Sequence, residues 1–187
     1  MADNFLKKML LILLLGFICV CLFTSSWFLQ KFYPYPHQKL IKENCLKYEV
    51  DPYFVLAIMK TESRFYSSAY SRAGAMGLMQ IMPETGKWIA QQMGWEDFAE
   101  VKLFEPQYNI PMGIWYLAYL AEKFDNNIVK VVVAYNAGSN RVNKWLKEGL
   151  WSGELQDLAQ IPYQETRKYV KRVFFNYQVY QDIYQKS

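Results

Sequence analysis

Apolar positions follow two patterns along this chain. From Met9 to Gln30 they run almost unbroken, with no charged residue between Lys8 and Lys31. From about Leu40 onward they return every three or four residues, the spacing of one helix face. As a helix the charge-free run reaches roughly 33 Å, enough to cross a hydrocarbon core. Its densest part, Leu10 to Phe23, is also short enough for the apolar region of a secretory signal, but the bulky sequence "TSSWFLQKFYP" that follows suits a retained anchor better than a cleaved one. Lys7 and Lys8 then stay inside the cytoplasmic membrane, and everything after Lys31 lies outside.

The predicted order is an anchor over residues 1–30, a linker over 31–38 with two prolines in "KFYPYPHQ", and one domain over 39–187. Leu40, Ile41, Cys45, Leu46 and Tyr48 mark an amphipathic helix. Asp51 and Pro52 supply an N-cap acceptor and a preset φ for a second, running to about Glu62. A third starts at Pro83 and Glu84 and ends near Gly94, and a fourth starts around Asn109. In "NIVKVVVAYNAG" the valines favour a strand, while the flanking helical periods favour a buried helix. "NRVNKWLKEG" and the long segment from Tyr163 to Tyr184 complete a mainly α domain of six or seven helices, with no internal repeat.

Composition narrows the function. The net charge is +4, and basic residues alternate with acidic ones, which gives nucleic-acid binding little support. Aromatic residues make up 18% of the chain, a share common in carbohydrate-binding surfaces. Cys45 is the one cysteine beyond the apolar run and His37 the one histidine, so no cysteine–histidine metal cluster, internal disulfide or histidine triad can be assembled in the domain. No cofactor or metal is expected.

Glu62 is the candidate for chemistry. Val55, Ile58 and Met59 lie seven, four and three residues before it, so all share one helix face. A carboxyl held there is partly desolvated, its pKa rises, and it can serve as a general acid near neutral pH; the alternative is a carboxylate that turns to water at the last turn. The small residues of "SRAGAMGLMQIMP" after it let backbone approach a ligand closely.

"ESRF" at Glu62–Phe65, "SRAGAMGLMQIMP" at Ser71–Pro83, "LFEPQYNI" at Leu103–Ile110, "AYNAG" at Ala134–Gly138 and "IPYQETRKYVKRV" at Ile161–Val173 occur in one order over the chain from about Lys39 to its end. In these motifs the chain resembles the lytic transglycosylases of the soluble lytic transglycosylase (SLT) domain family, relatives of goose-type lysozyme. The resemblance implies a lysozyme-like single domain that cleaves the β-1,4 bond between N-acetylmuramic acid and N-acetylglucosamine in peptidoglycan, with Glu62 as acid and base. It implies Ser71, Gln80, Met82, Tyr135 and Asn136 as cleft residues and Glu165 as a supporting carboxylate, and it points the Tyr135 hydroxyl at Glu62 or the substrate. Gly86 stands where an alanine is common, and Pro111 interrupts the start of the fourth helix.

Most glycosidases use two carboxylates. No second acid lies on a comparable motif, which suits a lytic transglycosylase, in which one Glu does both proton transfers and the product is a 1,6-anhydro sugar. Two alternatives stay open at this point: a hydrolase, with Asp51, Glu84 or Glu165 as second acid, and a non-catalytic wall-binding scaffold. Peptidoglycan strands and the membrane are the expected partners; any wall or secretion-machinery protein is left unnamed.

Overall fold

The computed structural model describes residues 2–24 and 26–185. Helices α1 (Ala2–Thr24) and α2 (Ser26–Phe32) carry the N-terminal run, and α3 (Gln38–Tyr48), α4 (Pro52–Glu62), α5 (Pro83–Gln92), α6 (Pro106–Lys123), α7 (Ile128–Ala137), α8 (Ser139–Lys147) and α9 (Gln164–Tyr184) form the body. The architecture is mainly α, as the periodicity predicts.

The expected membrane-crossing helix is not found: among the described residues, no helix is long and apolar enough to cross a membrane. Ser25 and the side chains of residues 18–27, the middle of the expected span, lie outside the described residues.

Helix α4 is the centre of the body. Asp51 accepts from the Tyr53 amide at 2.7 Å and Pro52 occupies the first turn, so the helix starts where the sequence predicts. Val55, Leu56, Ile58 and Met59 are fully buried, which contributes on the order of 6–12 kcal/mol. α9 packs along α4, and α6 along α3. In α7, burial of Val129 and Val131–Val133 overrides their strand preference, and Asn127 caps the helix by accepting from the amides of Val129 and Lys130.

Residues 33–36, in the segment read as a linker, lie against the body. Tyr184 Oη donates to Tyr33 O at 2.8 Å and Tyr180 Oη to Pro34 O at 3.1 Å. Lys60 Nζ donates to Phe32 O and sits 4.1 Å over the Tyr33 ring.

The segment from Ser63 to Met82 between α4 and α5 is irregular, with isolated bridges joining Tyr70 to Met76 and Met76 to Ile81. Asn109, fully buried on α6, pins it. Its Nδ2 donates to Met76 O and Leu103 O, and its Oδ1 accepts from Met79 N at 2.7 Å. Gly77 has φ +77°, and a Cβ there would lie 2.0 Å from Leu103 O, so only glycine fits.

Candidate active site

Glu62 is the last residue of α4, where the buried face meets the irregular segment. Its carboxyl is sunk among neighbours while the residue keeps some exposed surface. Burial pushes its pKa up to about 7, against the opposing pull of a hydrogen bond from Tyr169 and the charge of Arg172. Tyr169 Oη, from the buried face of α9, donates to Glu62 Oε1 at 2.7 Å. The Tyr169 phenol is held well above its ordinary range by burial and by the nearby Glu62, so it remains a donor across the pH range in which Glu62 titrates.

The backbone after Glu62 turns sharply. Arg64 and Phe65 both take left-handed conformations, φ 52° and 69°, and Gln80 does so at φ 49°. Such conformations cost non-glycine residues free energy and persist only where the surroundings enforce them. Here Ser63 enforces the turn: it is buried, its Oγ donates to Leu78 O at 2.7 Å, and it accepts from the Phe65 amide.

The other expected site residues fall as follows. Tyr135, on the last turn of α7, directs its hydroxyl to Met79 O at 2.9 Å, and Glu62 is close enough for its charge to help raise the Tyr135 pKa well above normal. Gln80 donates through Nε2 to Ala69 O and Gly77 O, the backbone-satisfied arrangement of its amide nitrogen. Ser71 closes a turn, its amide donating to Ala75 O and its Oγ accepting from Ala75 N. Met82 is exposed at the start of α5, and Asn136 is exposed beside Tyr135. Glu165 lies exposed in the first turn of α9, one turn before Tyr169, and lines a shallow pocket with Lys168, Lys171 and Arg172.

The three candidates for a second acid are placed apart in role. Asp51 caps the opposite end of α4, about 16 Å from Glu62 along the helix, and its other oxygen accepts from Tyr177 Oη at 2.6 Å. Glu84 opens into a separate aromatic pocket and Glu165 onto the basic face of α9. Among the described residues no group of histidine, cysteine and carboxylate side chains could hold a metal ion.

Tyr169, Arg172, Ser63 and Asn109 were not singled out by the sequence. Tyr169 shares a face with Thr166, Val170, Val173 and Tyr180, which reads as core; its sole distinguishing signal is its place four residues after Glu165.

The family model described as "Transglycosylase SLT domain" matches residues 39–156. A putative soluble lytic murein transglycosylase of Haemophilus influenzae is 42% identical over 135 residues, covering 69% of this chain and 22% of that protein. A membrane-bound lytic murein transglycosylase C of Cronobacter sakazakii is 38% identical over 112 residues, 55% of this chain and 31% of its own. The crystal structure of the 70 kDa soluble lytic transglycosylase of Escherichia coli superposes with a TM-score of 0.77 at 32% identity, over 83% of this chain and 25% of that one. The chain thus spans about a fifth to a third of the length of these relatives.

Proposed function

We propose that this chain, which belongs to the transglycosylase SLT domain family, is a peptidoglycan lytic transglycosylase in which Glu62 performs both proton transfers. The observation that carries the reading is a partly accessible carboxyl with a pKa near 7, held by Tyr169, while Asp51 is engaged in capping the far end of α4. Protonated Glu62 donates to the bridging oxygen as the bond from C1 of N-acetylmuramic acid breaks, and the N-acetylglucosamine end leaves as an alcohol. The carboxylate so formed, stabilised by the Tyr169 hydrogen bond, takes the proton from the C6 hydroxyl of the same muramic acid. That oxygen closes onto C1, giving the 1,6-anhydro ring and returning Glu62 to its protonated form. Ser71, Gln80, Met82, Tyr135, Asn136 and Glu165 line or support the glycan path. Two solved relatives point the same way: an inactive mutant of a Pseudomonas aeruginosa lytic transglycosylase carries glutamine for a glutamate, and a 70 kDa soluble lytic transglycosylase is seen in complex with bulgecin A.

The N-terminal segment is proposed to hold the domain at the outer face of the cytoplasmic membrane. The charge-free run from Met9 to Gln30 and the exposed apolar side chains of α1 support this. Purified peptidoglycan incubated with the full chain is expected to release soluble fragments, and Glu62→Gln to release none above a few per cent of wild type. Equal release by the two proteins overturns the assignment of Glu62.

A further inference from the structure

The last four carbonyls of a helix have no partner within it, so its final turn is the part that frays. Glu62 stands on such a turn, and the residues just beyond it, Arg64 and Phe65, take left-handed conformations that strain the exit. The carboxyl therefore keeps its place only if the turn is braced from outside. The last three residues of α4 are each braced by a different group. Glu62 accepts from Tyr169 Oη. Thr61 Oγ1 donates to Ala57 O at 2.8 Å, the bond a helical threonine makes by itself, and accepts from Asn176 Nδ2 at 2.9 Å. Lys60 Nζ donates to Phe32 O at 2.6 Å.

Asn176 ties these braces together. It is buried on α9, seven residues and about two turns after Tyr169, so both side chains reach α4 from one face. Its Oδ1 accepts from Tyr33 Oη at 3.4 Å, the long end of hydrogen-bond range. The Tyr33 ring lies under the Lys60 ammonium at 4.1 Å and meets Tyr180 edge-on at 5.3 Å. A continuous path thus runs from residues 32 and 33 through Asn176 to Thr61, the neighbour of Glu62. Tyr33 and Asn176 both lie outside residues 39–156, the part of the chain that the family model matches.

We propose that Asn176 is a positioning residue for Glu62, holding the last turn of α4 through Thr61, and that residues 32 and 33 hold Asn176 in turn, so that the segment leading out of the N-terminal helices takes part in the catalytic geometry. The inference rests on the proposed role of Glu62. Without the brace the turn relaxes toward water. The carboxyl then loses part of the burial that keeps it protonated and moves off the oxygen it has to protonate. The titratable and charged groups that act on it, Tyr169 and Arg172 of α9 and Tyr135 of α7, are left in place.

The test uses the full chain in mild detergent with three substitutions: Thr61→Val, which keeps the side-chain shape and removes the acceptor, Asn176→Ala, and Tyr33→Phe, which keeps the ring. Thr61→Val and Asn176→Ala are expected to lower kcat for fragment release about tenfold with KM little changed, and Tyr33→Phe to lower it less. The alkaline limb of kcat/KM, which requires protonated Glu62, is expected to move to lower pH, opposite to the shift expected when the Tyr169 bond is lost. Thr61→Ser, which keeps the accepting hydroxyl, is expected to restore both. A second readout needs no turnover. Glu62→Gln is expected to raise the Tm at pH 8, and that rise is expected to shrink when Thr61→Val is also present, because the carboxyl it replaces is then less desolvated. Variants that melt earlier while keeping the kcat, the alkaline limb and the full Glu62→Gln rise of wild type overturn the proposal and leave Asn176 a structural part alone. A wild type that releases nothing from peptidoglycan, with the rise shrunk by Thr61→Val, keeps the positioning and refutes the catalytic reading. Cleavage that depends on Glu62, with kcat and the rise both unmoved by Thr61→Val, does the reverse.

Discussion

Replacing Glu62 by glutamine should stabilise the protein, and only above a definite pH. In the unfolded chain the carboxyl titrates at its ordinary 4.5; in the fold it titrates at about 7 because the charged form is poorly solvated there. Below pH 4.5 both states hold the proton and the carboxyl fits its site. Between pH 4.5 and about 7 the unfolded chain releases its proton while the native state keeps it, so stability falls across that window and levels off once the native carboxyl also ionises. At 1.36 kcal/mol per pKa unit the loss is on the order of 3 kcal/mol at pH 8. Glutamine retains the shape and an acceptor for Tyr169 but never ionises, so it escapes that loss. For a chain of this size the gain corresponds to a Tm about 6–12 °C above wild type at pH 8, shrinking to nearly nothing at pH 4. Thermal melts of the full chain in mild detergent, followed by near-ultraviolet circular dichroism, measure both. A Tm difference that is the same at pH 4 and pH 8 would refute the desolvated-acid argument.

Three other expectations follow from particular contacts. Tyr169→Phe removes the hydrogen bond that favours ionised Glu62, so the Glu62 pKa should climb further and the pH profile of kcat/KM should shift to the alkaline side with it; an unmoved profile counts against the role given to Tyr169. Asn109→Ala leaves Leu103 O and Met79 N without their buried partner and Met76 O with the Ile81 amide alone, which should cost about 2–6 kcal/mol by chemical denaturation and reduce fragment release, whereas a loss under 1 kcal/mol would show that the irregular segment does not depend on this pin. Removal of residues 1–38 should destabilise the body by about 3 kcal/mol relative to removal of residues 1–30, because the bonds of Tyr184, Tyr180 and Lys60 to residues 32–34 and the Tyr33 ring contacts go with it; equal melting of the two forms would assign the segment no structural part.

The helical body was legible because its signals are local. Asp51 and Pro52 start α4, and the apolar period from Leu40 onward fixes which faces are buried. Glu62 could be found because it falls at the end of such a face. Its partner could not: Tyr169 is 107 residues away, and its position on α9 carries the same pattern as the core residues around it. Asn109 was hidden for the same reason, since nothing near it in sequence shows that three backbone groups of distant segments converge on its amide. The segment around Tyr33 and Tyr35 illustrates the opposite limit. Prolines and the absence of helical period suggest an extended connection, and both are compatible with a segment tied down by hydroxyls that come from α9. The N-terminal run was legible as apolar and uncharged, while among the described residues no helix is long and apolar enough to cross a membrane.

Mass spectrometry of the fragments released from purified peptidoglycan by the full chain tests the central claim most directly. Muramic acid ends one water lighter than the reducing form, absent when Glu62→Gln replaces wild type, are the predicted result, since in the proposed reaction one carboxyl directs the C6 hydroxyl to C1 in place of water. Reducing ends would contradict it, and would require a second acid and a positioned water at Glu62.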